Sequence, residues 1–109
     1  MYLPALPAIE GVVIRNSLGH PRYAVGSDGT VWSCAAHSGI GNWKRLTPSA
    51  DGGGYLQVGI GEKKFKVARL ILEAFVGPRP EGLQTRHLDG NRTNNSVGNL
   101  AWGTPKQNA

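Results

Sequence analysis

With 109 residues, the chain can bury one modest core but not two, so it reads as a single domain, 1–109. Twelve Lys and Arg against seven Asp and Glu leave a formal charge of +5, which points to a polyanionic partner such as nucleic acid, or to a basic surface kept for solubility. The one cysteine, Cys34, excludes an intrachain disulfide and a cysteine-based zinc cluster.

The opening MYLPALPAIEGVV is broken by Pro4 and Pro7, has no leading basic residue and does not resemble a signal peptide. No apolar run reaches membrane-spanning length, so a soluble chain in a reducing cytoplasm, with no membrane partner, is expected. Residues 1–22 read as an irregular arm. RYAVGSDGTVWSC reads as a hairpin, Tyr23–Gly26 and Thr30–Cys34 about the turn-forming SDG. A strand is expected near Lys44–Thr47 and a turn at PSADGGG. A second hairpin follows in YLQVGIGEKKFKVA, with Gly61-Glu62 near its tip. Together 23–66 form a small antiparallel β module.

The period then changes. Val67, Leu70, Ile71, Ala74 and Phe75 recur at i, i+3, i+4, i+7 and i+8, one face of a helix over 67–77. Gly77 can close that helix and Pro78 prevents its continuation. The remainder, 83–109, reads as strand Gln84–Leu88, loop, strand Asn99–Thr104 and a helix start, with Thr104 as N-cap and Pro105 in the first helical position. Trp32 and Trp43 are expected to pack the sheet and helix and Trp102 to lie in the core, with Glu73 solvated. His20 and His37 have no obvious partners and are taken as surface residues.

Five of the seven asparagines crowd into TRHLDGNRTNNSVGNLAWGTPKQN around His87. Asparagine favours neither helix nor strand, so the cluster requires loops, ligands or chemistry. Asn91, Asn94 and Asn95 read as turn caps, with Asn94 or Asn95 also able to tether the loop to the core. His87 on the first strand, Asn99 at the second and Asn108 on the helix are set among HLDGN, TNN, NLAWGT and the final QN. This ordered set resembles the ββα-metal core of HNH endonucleases, in the phage and intron-associated branch that carries Asn in place of the last His. RLILEAFVGPRPEG resembles the helix and turn preceding that core, and YAVGSDGTVWS and LTPSADGGGYLQVGI resemble its N-terminal β module. The implied fold is α+β: a small antiparallel β module, one central helix, then the ββα-metal core.

The resemblance implies hydrolysis of DNA phosphodiester bonds. His87 would be the general base, since imidazole titrates near neutral pH. Asn99 would hold the loop and the imidazole through its side chain or backbone. Asn108 would be a neutral oxygen ligand to one divalent cation, Mg2+ or Mn2+. Relatives place Asp or Asn just before the histidine, where this chain has Arg86, which suits a phosphate rather than a cation. Asp89 is then either the second metal ligand or a turn cap. Ala68-Arg69-Leu70 stands where relatives carry His-Arg-Leu, and Asn108 sits on the last turn of an unfinished helix.

DNA contacts are expected from Lys44, Arg45, Lys63, Lys64 and Lys66 in the β module, and from Arg69, Arg79, Arg86, Arg92 and Lys106 in or near the core. One site per chain favours nicking, with a homodimer if both strands are cut, in a bacterial or phage-infected cell. The alternative is a catalytically impaired DNA-binding module that keeps the fold. A third reading, a β-rich protein-interaction module, predicts no DNA affinity.

Overall fold

The computed structural model describes residues 3–36 and 39–108 as three small antiparallel sheets around one helix. The first sheet, in the order β1-β2-β3-β4, contains Ile14–Ser17, His20–Gly26, Val31–Ala36 and Gly39–Arg45. The second contains β5 (Ser49–Ala50), β6 (Leu56–Ile60) and β7 (Lys63–Lys66), and the third pairs β8 (Gln84–His87) with β9 (Leu100–Gly103). Helix α1, Val67–Phe75, follows β7 directly and packs on strands of all three sheets. Among the described residues, no helix is long and apolar enough to cross a membrane.

Both expected hairpins are present. At the β2–β3 turn, Asp28 Oδ1 accepts from the Thr30 amide at 3.2 Å and hydroxyl at 2.6 Å, closing the loop from within. The β6–β7 hairpin turns at Gly61-Glu62, with Ile60 opposite Lys63. Two expectations are corrected. The segment read as an arm contains β1, which pairs with β2 through Ile14↔Gly26. The strand expected near Lys44–Thr47 is the longer β4, Gly39–Arg45, paired with β3. Four polar-rich residues such as IRNS carry little periodicity, so β1 is set by its neighbour rather than by its own pattern. The N-terminal segment is further pinned where the Trp43 indole donates to the Pro4 carbonyl at 3.1 Å.

Around α1 the core comprises Val25, Val31, Val58, Val67, Ala68, Leu70, Ile71, Leu72 and Leu100. Each large aliphatic among them contributes about 1.5–3 kcal/mol through burial. Ala68 and Leu72 fall outside the expected stripe but are buried, because sheets cover more than one side of the helix. Ala68 is therefore a packing position, turned away from any DNA ligand. The helix ends at Phe75, two residues earlier than expected, and the Val76 and Gly77 amides both donate to Leu72 O, at 2.8 and 3.0 Å. Gly77 takes φ 139°, and the Trp102 indole donates to its carbonyl at 3.3 Å, fastening β9 to the helix end. Glu73 is not simply solvated: it pairs with Arg69 at 3.0 Å.

His20 is half-buried, edge-on to Phe65 with 5.0 Å between ring centroids, whereas His37 lies outside the described residues. The final expected helix is reduced to its first turn. Thr104 and Gln107 form a reciprocal capping box, Gln107 N to Thr104 Oγ1 at 3.1 Å and Thr104 N to Gln107 Oε1 at 2.7 Å. Residues 105–108 follow as turns. One turn fixes several dihedrals for few hydrogen bonds, which is the unfavourable part of helix formation.

Candidate active site

β8 delivers His87 at its C-terminal end, opposite Leu100 of β9. Leu100 is buried, so the pair anchors His87 to the core while its half-buried ring reaches the surface. His87 Nε2 lies 2.8 Å from Asn95 Oδ1. An amide oxygen only accepts, so a neutral imidazole so held carries its proton on Nε2 and presents a free lone pair at Nδ1.

Asn95 is 5% exposed. It is wedged against Gly29 of the β2–β3 turn, where an added Cβ would come within 2.9 Å of the Asn95 carbonyl carbon. Gly29 also takes φ 87°, so both the backbone and the approach require glycine. The same turn accepts the Val97 amide at Ser27 O, 2.9 Å away. Thus the imidazole is oriented by a residue that the N-terminal module holds in place.

Asn99 holds the loop as expected, but not the imidazole. Its Oδ1 accepts the Asp89 amide at 3.0 Å, and its Nδ2 donates to Asp89 Oδ1 at 2.8 Å and Asn94 O at 2.9 Å. Its carbonyl accepts the Leu88 amide at 2.8 Å. Asn99 therefore holds the loop, and the ring contact expected of it belongs to Asn95.

Asp89 is a hub of that loop, as its reading as a turn cap expects. Besides the Asn99 contacts, Oδ2 accepts from Asn94 Nδ2 at 3.0 Å and Oδ1 from the Asn91 amide at 2.8 Å. The Asn94 side chain, then the Asn91 amide and the Asn99 side chain, hold its carboxyl below the ordinary carboxylate value. Asn91 in turn caps Thr93, accepting its amide at 3.0 Å and hydroxyl at 2.8 Å, as expected of a turn residue.

His87 lines a hollow of about 280 Å³ together with Tyr55, Arg86, Arg92, Gln107 and Asn108. Tyr55 enters it from the turn before β6. Asp51 Oδ1 accepts the Gly53 and Tyr55 amides at 2.8 and 3.0 Å, with the Gly53 bond the main reason its carboxyl lies below the ordinary value. The Tyr55 ring lies 5.9 Å from the His87 ring, with Lys66 Nζ 4.3 Å and Arg92 Cζ 4.8 Å from its centroid. Arg92 also donates to the Gly53 carbonyl, tying this turn to the His87 loop. Arg86 fits because Gly103 has no side chain: a Cβ there would meet its Cδ at 3.0 Å.

Asn108 Nδ2 donates to the Thr85 carbonyl at 3.0 Å, which steadies the amide and leaves Oδ1 available. No carboxylate lines the hollow, and no group of three His, Cys, Asp or Glu suited to a metal occurs among the described residues. A hard divalent ion would thus find only neutral side chains with oxygens lining the hollow, Asn108 with Gln107, Thr85 and Tyr55, beside two guanidinium groups. Mg2+ characteristically keeps water and takes substrate phosphate oxygens, so the hollow fits such an ion once DNA supplies the missing ligands.

Of the cations expected to meet DNA, Arg86 and Arg92 line this hollow, and Lys63, Lys64, Lys66 and Arg69 line a second, larger one. Lys44, Arg45 and Lys106 are exposed and line neither. Tyr55 escaped the sequence reading, its nearness to His87 being purely tertiary; Asn95 was read as a cap or tether of the loop, and only its contact to the ring was missed.

A histidine-bearing hairpin, an asparagine-built loop and a final asparagine about one polar hollow define the HNH class. Residues 65–109 match the family model described as HNH endonuclease, which places this part of the chain in that family. It is 34% identical over 103 residues to an HNH endonuclease of Acanthamoeba polyphaga mimivirus, covering 91% of this chain and 28% of that one. It is 35% identical over 99 residues to the DNA endonuclease I-HmuI of Bacillus phage SP01, covering 87% and 52%. A solved structure showing DNA binding and cleavage by the HNH homing endonuclease I-HmuI superposes with a TM-score of 0.68 at 33% identity, over 88% of this chain and 55% of the other. The chain thus spans between about a quarter and just over half the length of these relatives.

Proposed function

We propose that the chain acts as a DNA endonuclease that hydrolyses one phosphodiester bond per site, with His87 as general base. The observation that carries this reading is the Nε2 contact to Asn95, which leaves Nδ1 free in a hollow bordered by Arg86, Arg92 and Asn108. His87 Nδ1 takes a proton from water as the water oxygen attacks phosphorus. The bond to the 3′ oxygen breaks and that oxygen takes a proton from solvent water, leaving a 5′-phosphate and a 3′-hydroxyl. Arg86 and Arg92 offer N–H donors to the non-bridging oxygens, where charge accumulates. One divalent ion, Mg2+ or Mn2+, held by Asn108 and by the DNA itself, supplies charge neutralisation at the departing oxygen when bound. A single site per chain favours a nick, and cutting both strands would need two copies.

The second reading, a DNA-binding module with impaired catalysis, is favoured by the absence of a carboxylate from the hollow. Supercoiled plasmid incubated with EDTA, Mg2+ or Mn2+ separates the two. Metal-dependent open circles, reduced about 10²–10⁴-fold by His87→Ala, support the endonuclease. DNA retardation without conversion supports the binding module.

A further inference from the structure

Arg92 is exposed and sits on the loop between β8 and β9, yet its side chain is held at two points. Its backbone is set by the Asn91 cap, whose Oδ1 accepts the Thr93 amide at 3.0 Å and hydroxyl at 2.8 Å. Its Nη1 donates to the Gly53 carbonyl, and its Cζ stands 4.8 Å from the centre of the Tyr55 ring. Both side-chain contacts come from one turn of the N-terminal module, residues 51–55. That turn is closed from within. The Asp51 amide donates to the Tyr55 carbonyl at 2.8 Å, while Asp51 Oδ1 accepts the Gly53 and Tyr55 amides. The ring rests on the same turn, since a Cβ at Gly53 would meet Tyr55 Cδ2 at 3.4 Å and Cε2 at 3.5 Å.

An arginine near an aromatic face is often no more than a surface contact of small worth. Three observations set this one apart. Tyr55 and Arg92 line the hollow of His87, and the Tyr55 ring lies 5.9 Å from the imidazole. The Gly53 carbonyl adds a directional hydrogen bond that ties the guanidinium to the turn carrying the ring. Lys66 Nζ lies 4.3 Å from the same ring centre. Two cations so placed are within about 10 Å of each other, where like charges repel, and the ring attracts both. Without the ring, a long side chain with many rotamers would swing away from Lys66.

We propose that Tyr55 is a positioning residue: its ring and the Gly53 carbonyl form a cradle that holds the Arg92 guanidinium at the His87 hollow, aimed at the phosphate attacked there. The proposal rests on the endonuclease reading and names what aims one of its two arginines. Of the five N–H donors of a guanidinium, one goes to Gly53 and four are left for phosphate oxygens. The ring face does the holding, so the role belongs to the aromatic ring and not to the hydroxyl.

The test compares Tyr55→Leu, Tyr55→Phe, Arg92→Ala and Tyr55→Leu/Arg92→Ala with the unsubstituted chain, each checked for folding by circular dichroism. Nicking of supercoiled plasmid with Mg2+ gives kcat and KM. Nitrogen-15 relaxation of the Arg92 Nε–H reads how firmly the guanidinium is held, with no cleavage needed. Tyr55→Leu should lower kcat by about 5- to 30-fold with a smaller change in KM, and Arg92 should gain the fast motion of an untethered side chain. Tyr55→Phe should restore both the rate and the order. The double variant should fall no further than Arg92→Ala alone, because the ring acts through the guanidinium. A Tyr55→Phe chain as slow as Tyr55→Leu would assign the effect to the hydroxyl and overturn the cradle. Additive losses in the double variant, or an Arg92 equally ordered in Tyr55→Leu, would overturn it too. If the unsubstituted chain never nicks while Arg92 loosens in Tyr55→Leu and not in Tyr55→Phe, the cradle stands and the endonuclease reading fails.

Discussion

Replacing Asn95 tests the arrangement on which the proposed chemistry depends. Its 2.8 Å contact to His87 Nε2 should be worth about 1 kcal/mol net, a factor of about 5 in favour of the held orientation. If Asn95→Ala leaves the half-buried Nε2–H without a partner, the cost rises to about 3 kcal/mol, or about 10²-fold. The expected fall in kcat is therefore about 5- to 100-fold, short of the 10²–10⁴-fold expected of His87→Ala. Alanine keeps the Cβ that packs by Gly29, so the fold should survive with Tm lowered by several degrees, about 4–8 °C per kcal/mol in a domain of this size. Asn95→Asp places a carboxylate where the amide oxygen sat and stabilises the imidazolium. The base then stays protonated to higher pH, and the acid limb of the pH–rate profile moves up by about one unit or more. Nitrogen-15 NMR of the wild-type ring should show the Nε2-protonated tautomer. Unchanged kcat in Asn95→Ala, together with an unshifted profile in Asn95→Asp, would refute the orientation argument.

The contacts behind Asn95 and the loop yield three further expectations. Gly29→Ala combines φ 87° with a 2.9 Å clash against the Asn95 backbone, so it should cost more than about 1 kcal/mol and lower kcat in the same direction as Asn95→Ala. Gly19→Ala, at φ 77° but in open space, should bear backbone strain alone, and paired melts and nicking rates check the contrast. The Asp89 carboxyl is held below 3.8, chiefly by Asn94, so the stability it gives the loop is complete above that unfolded value and lost as pH falls through the lower folded one. Amide exchange over Asn91–Ser96, corrected for intrinsic rates, should therefore quicken below about pH 3.8 while α1 stays protected, and a pH-independent loop would contradict this. Free protein should bind Mn2+ only at about millimolar levels, with tightening of about tenfold or more on adding DNA and loss of that gain in Asn108→Ala, read by electron paramagnetic resonance. Tight binding without DNA would show that the protein supplies more ligands than Asn108.

What could be read from the residues was what is local. The two hairpins, the helix and the strand–loop–strand around His87 follow from alternation, turn residues and the 3.6 period, all within short windows. The capping role of Thr104 was likewise legible in TPKQ. The division of labour among the asparagines was not, because Asn91, Asn94, Asn95 and Asn99 have one chemistry and nearly one neighbourhood in sequence. Asn95 differs by lying against Gly29, 66 positions earlier. Asp89 could be read as ligand or cap from its neighbours in sequence, and its three partners across the loop bear out the capping role.

The HNH match begins at residue 65, yet the hollow at His87 is not completed by those residues alone. Gly29 backs Asn95, Ser27 accepts the Val97 amide, and Tyr55 forms a wall while engaging Arg92. Each contact joins the β8–β9 loop to a turn of the N-terminal sheets. A loop with an asparagine-capped interior and mostly exposed residues has little apolar burial of its own, so its order depends on these clamps. A fragment of residues 65–109 would retain His87, Asn99 and Asn108 without the support for Asn95 and without both turns that grip the loop. It would also strip the cover from Leu70, Ile71 and Leu72 of α1, which Val25, Val31 and Val58 share in the core. The N-terminal sheets are therefore part of what orients the imidazole, and the motif by itself underdetermines the site.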